Sequence, residues 1–163
     1  MAGKMRTTTD FLIIGSGIAG LSYALKVAEH GRVLIITKAA AEESNTKYAQ
    51  GGIAGVLQGP DTFESHINDT LNAGAGLCDP AVVRMVVTEG ADRIREMISI
   101  GTRFDTTPGG DYDLAKEGGH SQHRVLHFKD STGNEIERAL LAAVHRHPNI
   151  EICTHYFVLD LIT

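Results

Sequence analysis

A chain of 163 residues with 42% hydrophobic side chains and a formal net charge of −5 can build a domain with a real core and has no basic excess to suggest nucleic acid. No apolar run approaches the roughly 18 residues of a membrane span, and the polar stretch 1–10 lacks a signal-peptide core. The two cysteines, Cys78 and Cys153, match no disulfide or metal pattern, so a reducing, cytoplasmic setting is expected.

The first predicted element is a strand over 11–15, an apolar run that ends in Gly15-Ser16-Gly17-Ile18-Ala19-Gly20. A helix over 18–30 follows, with Leu21, Ala24, Leu25 and Ala28 at helical spacing, and then a strand over 32–37. Strand, glycine loop, helix and strand in about 30 residues is the context that gives the G-x-G-x-x-G motif its meaning as a dinucleotide diphosphate site. Gly15 lets the chain turn out of the strand, Gly17 leaves room for a pyrophosphate, and Gly20 lets the helix pack closely on the strand. The free N–H groups of the first helical turn and the helix dipole both favour an anion there. The second strand ends in Thr37-Lys38, not in the acidic residue that holds a ribose hydroxyl. Lys38 fits either the 2′-phosphate of NADP or another grip on the adenosine of FAD, and an NAD(P)-binding module without catalysis stays open on these residues.

Residues 39–60 read as a long, glycine-rich, irregular segment of the functional kind. Within it Gln50 offers both donors and an acceptor, and Gly51 and Gly52 leave backbone N–H groups open to a planar ring. A helix over 62–72 is capped by Asp61 or Thr62, and Asp79-Pro80 opens a helix over 80–88. A further helix over 90–99 ends at Gly101. Apolar residues 82, 83, 86, 87, 94, 97 and 98 form the packing face of this region. Residues 102–119 are turn-rich, 125–128 is a short strand, and Ser131 or Thr132 caps a helix over 134–146. Segments 150–153 and 157–162 read as strands, and an apolar strand at the very end of the chain suggests a piece of a longer protein. His120, His123 and His127 have no zinc-like spacing and no cysteine nearby, so no metal is expected. His30, His66, His145, His147 and His155 read as surface or boundary residues. The expected fold class is α/β: a Rossmann-like FAD/NAD(P)-binding fold with a parallel sheet and flanking helices.

The strings GSGIAGLSYAL, VLIITK and NTKYAQGGIAGV resemble the flavoprotein family of succinate dehydrogenases, fumarate reductases and L-aspartate oxidases. The resemblance runs from about Asp10 to the end of the chain and implies that 1–163 is the N-terminal part of the FAD-binding domain, without the capping and C-terminal helical domains. It implies FAD as cofactor, held by Gly15 to Gly20, Lys38 and the loop Asn45, Thr46, Lys47, Tyr48, Ala49, Gln50, Gly51 and Gly52. The respiratory members bind flavin covalently through a His whose position is Asn45 here, so a non-covalent FAD is expected. The string Lys116-Glu-Gly-Gly-His-Ser121 is similar to the L-aspartate oxidase branch, in which Glu117 would orient the substrate ammonium and disfavour succinate by charge. The implied reaction passes hydride from Cα of L-aspartate to flavin N5, gives iminoaspartate, and uses oxygen or fumarate as acceptor. Iminoaspartate would go to quinolinate synthase in the first steps of NAD biosynthesis. The main acid/base Arg lies beyond residue 163 in that family, so the fragment alone is expected to be inactive and to bind FAD weakly. The neighbouring alternative is a fumarate reductase or succinate dehydrogenase flavoprotein subunit.

Overall fold

The structure is a computed structural model, and it describes residues 7–162. In chain order it contains β1 (Phe11–Ile14), α1 (Ile18–Val27), β2 (Val33–Ile36), β3 (Ile53–Ala54), α2 (Phe63–Ala73), α3 (Pro80–Ile100), β4 (Leu114–Ala115), β5 (Val125–Leu126), α4 (Thr132–Arg146) and β6 (Ile150–Cys153). The chain divides into two compact units, one of residues 1–48 and 136–163, the other of residues 49–135.

The first unit is the expected α/β arrangement. Its sheet has the order β1-β2-β6, with both pairs parallel and in register from Phe11↔Val33 and Val33↔Ile150. Parallel strands with four consecutive apolar residues, Phe11–Ile14 and Val33–Ile36, suit a sheet covered by helices. Ile13, Val33 and Ile35 are buried together with Leu21, Ala24 and Ala28 of the α1 segment and with Ile136, Ala139, Leu140 and Val144 of α4. The α1 helix ends at Val27, short of the expected residue 30.

The second unit carries an antiparallel sheet of order β3-β5-β4. Ile94, Phe104 and Leu126 form its buried centre, with Ile53, Leu57, Ile98, Tyr112 and Leu114 packed around it. Phe104 and Tyr112 meet edge to face with ring centroids 6.4 Å apart. The expected start signals of α2 and α3 are present. Thr62 accepts a hydrogen bond from the Ser65 N–H at 3.1 Å, and Asp79 accepts from Ala81 and Val82 ahead of Pro80 at the helix start. Gly101 closes α3 with φ 117°, a left-handed value that glycine adopts freely.

Four expectations are corrected. Residues 80–100 form one helix, not two: Gly90 does not interrupt it, because Val87, Ala91, Ile94 and Met97 make one continuous buried stripe. Val82 and Val86, assigned to the packing face, are exposed. The strand over 157–162 does not form, and Phe157, Leu159, Leu161 and Ile162 are exposed. Among the described residues, no strand pairs with this segment, and an apolar run without a ladder partner has no reason to extend as a strand. The strand over 125–128 shortens to Val125–Leu126.

Candidate cofactor site

The first unit gathers the nucleotide motifs at the carboxyl ends of its parallel strands, where open α/β sheets bind ligands. A cleft of about 550 Å³ is lined by Gly15, Ser16 and Gly17 beyond β1, Thr37 and Lys38 beyond β2, and Tyr156 to Val158 beyond β6, with the loop Glu43 to Thr46 and Tyr48. Gly15 turns with φ 101° while its N–H still donates to Ile36 O at 2.8 Å. Ser16 is buried, with its hydroxyl 3.3 Å from that of Thr37. Gly17 caps α1 without a side chain, so the first-turn N–H groups lack the usual side-chain acceptor. Thr46 Oγ1 accepts from one of them, the N–H of Ile18, at 3.1 Å.

The glycines differ in purpose. A Cβ on Gly20 would strike the Gly15 carbonyl and come within 3.3 Å of Ile13 Cγ2, so Gly20 is required by the packing of α1 on β1. A Cβ on Gly17 would meet Thr46 Oγ1 at 3.4 Å, an ordinary contact, and the Gly17 backbone is extended at φ −75°, ψ 177°. The fold itself therefore does not require glycine at 17. The loop wall is held from beneath by Glu137, whose Oε2 accepts from Ser44 Oγ at 2.6 Å. Burial pushes the Glu137 carboxyl above its ordinary range. Lys47 turns to Glu43 at 3.8 Å and stands over the Tyr48 ring.

Of the residues assigned to the cofactor, Gly15, Ser16, Gly17, Lys38, Asn45, Thr46 and Tyr48 line this cleft, and Ile18, Ala19 and Gly20 form the first turn of α1. Ala49, Gln50, Gly51 and Gly52 belong to the second unit. There a Cβ on Gly52 would strike the Leu126 carbonyl, so the packing on β5 also demands glycine at that position. Sequence reading did not find Ser44, Thr37 or the segment 156–158; Ser44 stood inside the loop already singled out, whereas 156–158 carried no local signal.

The second unit holds a polar cluster that no motif announced. Arg124 is wholly buried and forms a fork with Asp61: Nε donates to Oδ2 at 2.7 Å and Nη2 to Oδ1 at 2.8 Å. Its Nη1 donates to Asp69 Oδ2 at 2.6 Å. Asp69 also accepts from the N–H and hydroxyl of Ser121 at 2.7 and 2.8 Å. The Ser121 N–H, more than the opposing effect of burial, holds the Asp69 carboxyl at about 2, with Arg124 and the Ser121 hydroxyl assisting. His66, read as a surface residue, is buried, and its ring lies 5.6 Å from that of His120; the helical face of α2 carries it inward beside Ile67. Burial first and Arg124 second push His66 below its ordinary range. His127 faces Asp105 at 3.2 Å instead of joining His120 and His123, and no metal-binding cluster occurs among the described residues. Glu117 stands exposed in the turn after β4.

The Asp69 carboxyl gives an acid limit. Its folded value, about 2, lies below the ordinary 3.8, so its stabilising contribution is present above about pH 4 and disappears as pH falls toward about 2. Urea unfolding at a series of acid pH values should show stability falling through that window, and Asp69→Asn should flatten the slope.

The FAD-binding domain family matches residues 10–163, which takes in the whole glycine unit and its cleft. The chain belongs to the FAD-binding domain family. Among curated proteins, this FAD-binding chain is 56% identical over 99% of its length to L-aspartate oxidase 2-b, chloroplastic, of Nicotiana tabacum, covering 25% of that protein. It is 45% identical over 94% of its length to L-aspartate oxidase of Vibrio cholerae, covering 30% of that one. A quinol fumarate reductase variant from E. coli superposes with a TM-score of 0.89 at 31% identity, over 96% of this chain and 27% of that one. The chain thus spans about a quarter to a third of the curated relatives it matches. The residues present fit FAD: a start of α1 whose N-cap, Gly17, brings no side chain, a glycine there that packing does not require, and Lys38 at the cleft wall.

Proposed function

We propose that this chain supplies the nucleotide-binding part of an FAD-dependent L-aspartate oxidase, which converts L-aspartate to iminoaspartate with oxygen or fumarate as acceptor. The observation that carries this reading is the Glu117-Gly118-Gly119-His120-Ser121 string on a chain more than half identical to proteins of that name. Bound here, FAD would supply the two-electron redox chemistry between the substrate Cα and the acceptor. The residues of this chain hold and orient. Gly15 to Gly20 present backbone N–H groups to the diphosphate, Lys38 grips the adenosine side, and Asn45, Thr46, Lys47, Tyr48, Ala49, Gln50, Gly51 and Gly52 form the loop toward the flavin. Asn45 carries an amide, which cannot form the covalent link of a histidine, so FAD is held non-covalently. Acid precipitation of the full-length protein should release all yellow colour to the supernatant; colour left in the pellet would overturn the Asn45 argument.

Glu117 orients the α-ammonium of the substrate and sets a like charge against plain dicarboxylates. A charge-assisted contact of this kind is worth about 1.5–3 kcal/mol, so Glu117→Gln should raise KM for L-aspartate about 10- to 100-fold. Steady-state kinetics on the full-length protein checks this. An unchanged KM would remove Glu117 from the site, and succinate turnover by the wild type would favour a fumarate reductase or succinate dehydrogenase flavoprotein.

The product is an imine that water hydrolyses, which favours direct use by a quinolinate synthase in NAD biosynthesis. Free Cys78 and Cys153 support a reducing compartment, cytoplasmic in our reading. Among the described residues, no helix is long and apolar enough to cross a membrane.

A further inference from the structure

The Arg124 cluster lies in the fold's second unit, outside the nucleotide cleft, and its donor count is complete. A guanidinium has five N–H donors. Here Nε and one Nη2 hydrogen go to Asp61, the other Nη2 hydrogen to Ser65 Oγ at 3.1 Å, one Nη1 hydrogen to Asp69, and the last to His120 Nδ1 at 3.1 Å. Because Arg124 can only donate, His120 Nδ1 must accept, which places the ring proton on Nε2. Ser121 is held in the same cluster through both its N–H and its hydroxyl on Asp69. The turn that carries Glu117 is closed by His120, and Ser121 follows directly. The His120 N–H donates to the Glu117 carbonyl at 3.2 Å, and Gly119 sits at the third turn position with φ 84°, where a side chain would be strained. Glu117 therefore stands at the first position of a turn whose last residue is bonded to a buried, doubly braced arginine.

We propose that Arg124 is a positioning residue for the amino-acid substrate: through His120 and Ser121 it fixes the turn that presents Glu117 to the α-ammonium group. This rests on the L-aspartate oxidase reading above. The two carboxylates do not serve as ligands; they orient the guanidinium so that one N–H remains aimed at His120. A rigid turn holds one carboxylate in one place, and a loose turn spreads it over many, which weakens recognition of the ammonium.

The test uses the full-length, FAD-loaded protein. Arg124→Lys keeps one charge between Asp61 and Asp69 but has three donors where five are needed. It should raise KM for L-aspartate about tenfold with kcat changed less than about threefold. FAD should stay bound, and the inhibition constant of succinate, which has no ammonium, should stay within about threefold. Should that variant fail to fold, His120 decides: His120→Gln keeps an acceptor for Nη1 and should behave like the wild type, whereas His120→Leu should show the KM rise. Lost stability or lost FAD with an unmoved KM in both Arg124→Lys and His120→Leu would mean a purely structural cluster and would overturn the proposal. Absence of L-aspartate turnover by the wild type would instead overturn the functional reading, and the proposal with it.

Discussion

Gly17→Ala and Gly20→Ala, three residues apart in one loop, are expected to fail in different ways. At position 20 the new methyl would strike the Gly15 carbonyl and press on Ile13 Cγ2, both parts of the strand-to-helix junction. Neither is the free end of a flexible side chain, so α1 must lift from β1 over the residues Leu21 and Ala24 that it buries. Overpacking of this kind costs about 1–3 kcal/mol, and the clash with backbone places Gly20→Ala at the upper end. At position 17 the methyl meets only Thr46 Oγ1 at ordinary contact distance, and the extended backbone suits alanine. Stability should change by no more than about 1 kcal/mol, the cost of alanine in place of glycine at an N-cap, yet the methyl stands in the approach proposed for the pyrophosphate, and FAD affinity should fall at least about tenfold, or about 1.4 kcal/mol. Urea unfolding and an FAD titration followed by flavin fluorescence separate the two. Equal loss of stability in both variants would contradict the assignment of Gly17 to the ligand.

The second large effect concerns charge in two environments. Asp61 and Arg124 are 4% and 1% exposed in their side chains, while the Glu64–Arg84 pair is 64% and 57% exposed. Asp61→Ala leaves a buried guanidinium with only Asp69 opposite, and breaking a buried pair by removing one partner costs about 3–5 kcal/mol. Glu64→Ala removes a contact of similar length on the surface, where water and salt screen it, and should cost far less than Asp61→Ala. Denaturant unfolding of both variants at neutral pH gives the comparison. Similar costs would mean that the Arg124 cluster is wet and loosely held.

The parts of the fold written in local sequence were legible in it. The four apolar residues of β1 and β2, the glycine spacing and the caps at Thr62 and Asp79 each act within a few residues of themselves, and each appears as expected. The failures share a physical cause, which is dependence on distant partners. Residues 80–100 read as two helices because propensity is local, while the stripe Val87, Ala91, Ile94 and Met97 that makes them one is set by packing. The apolar run 157–162 has the composition of a strand but, among the described residues, no neighbour to complete its ladder. Arg124 lies 63 and 55 residues from the carboxylates that hold it, so nothing in its own surroundings distinguishes it from a surface arginine. The lining of the cleft was the most legible part of the candidate site, since Gly15, Ser16, Gly17 and Lys38 are brought there by one strand, one loop, one helix and the next strand in sequence. The contribution of segment 156–158 to its wall arises only because β6 pairs with β2 across more than 100 residues.

The central claim is that this FAD-binding chain belongs to an enzyme whose reductant is an amino acid. Anaerobic addition of L-aspartate to the flavin-loaded full-length protein, followed by the visible absorbance of the oxidised flavin, tests it most directly. The account predicts that L-aspartate bleaches the flavin and that succinate at the same concentration does not. Bleaching by succinate with no response to L-aspartate would contradict it.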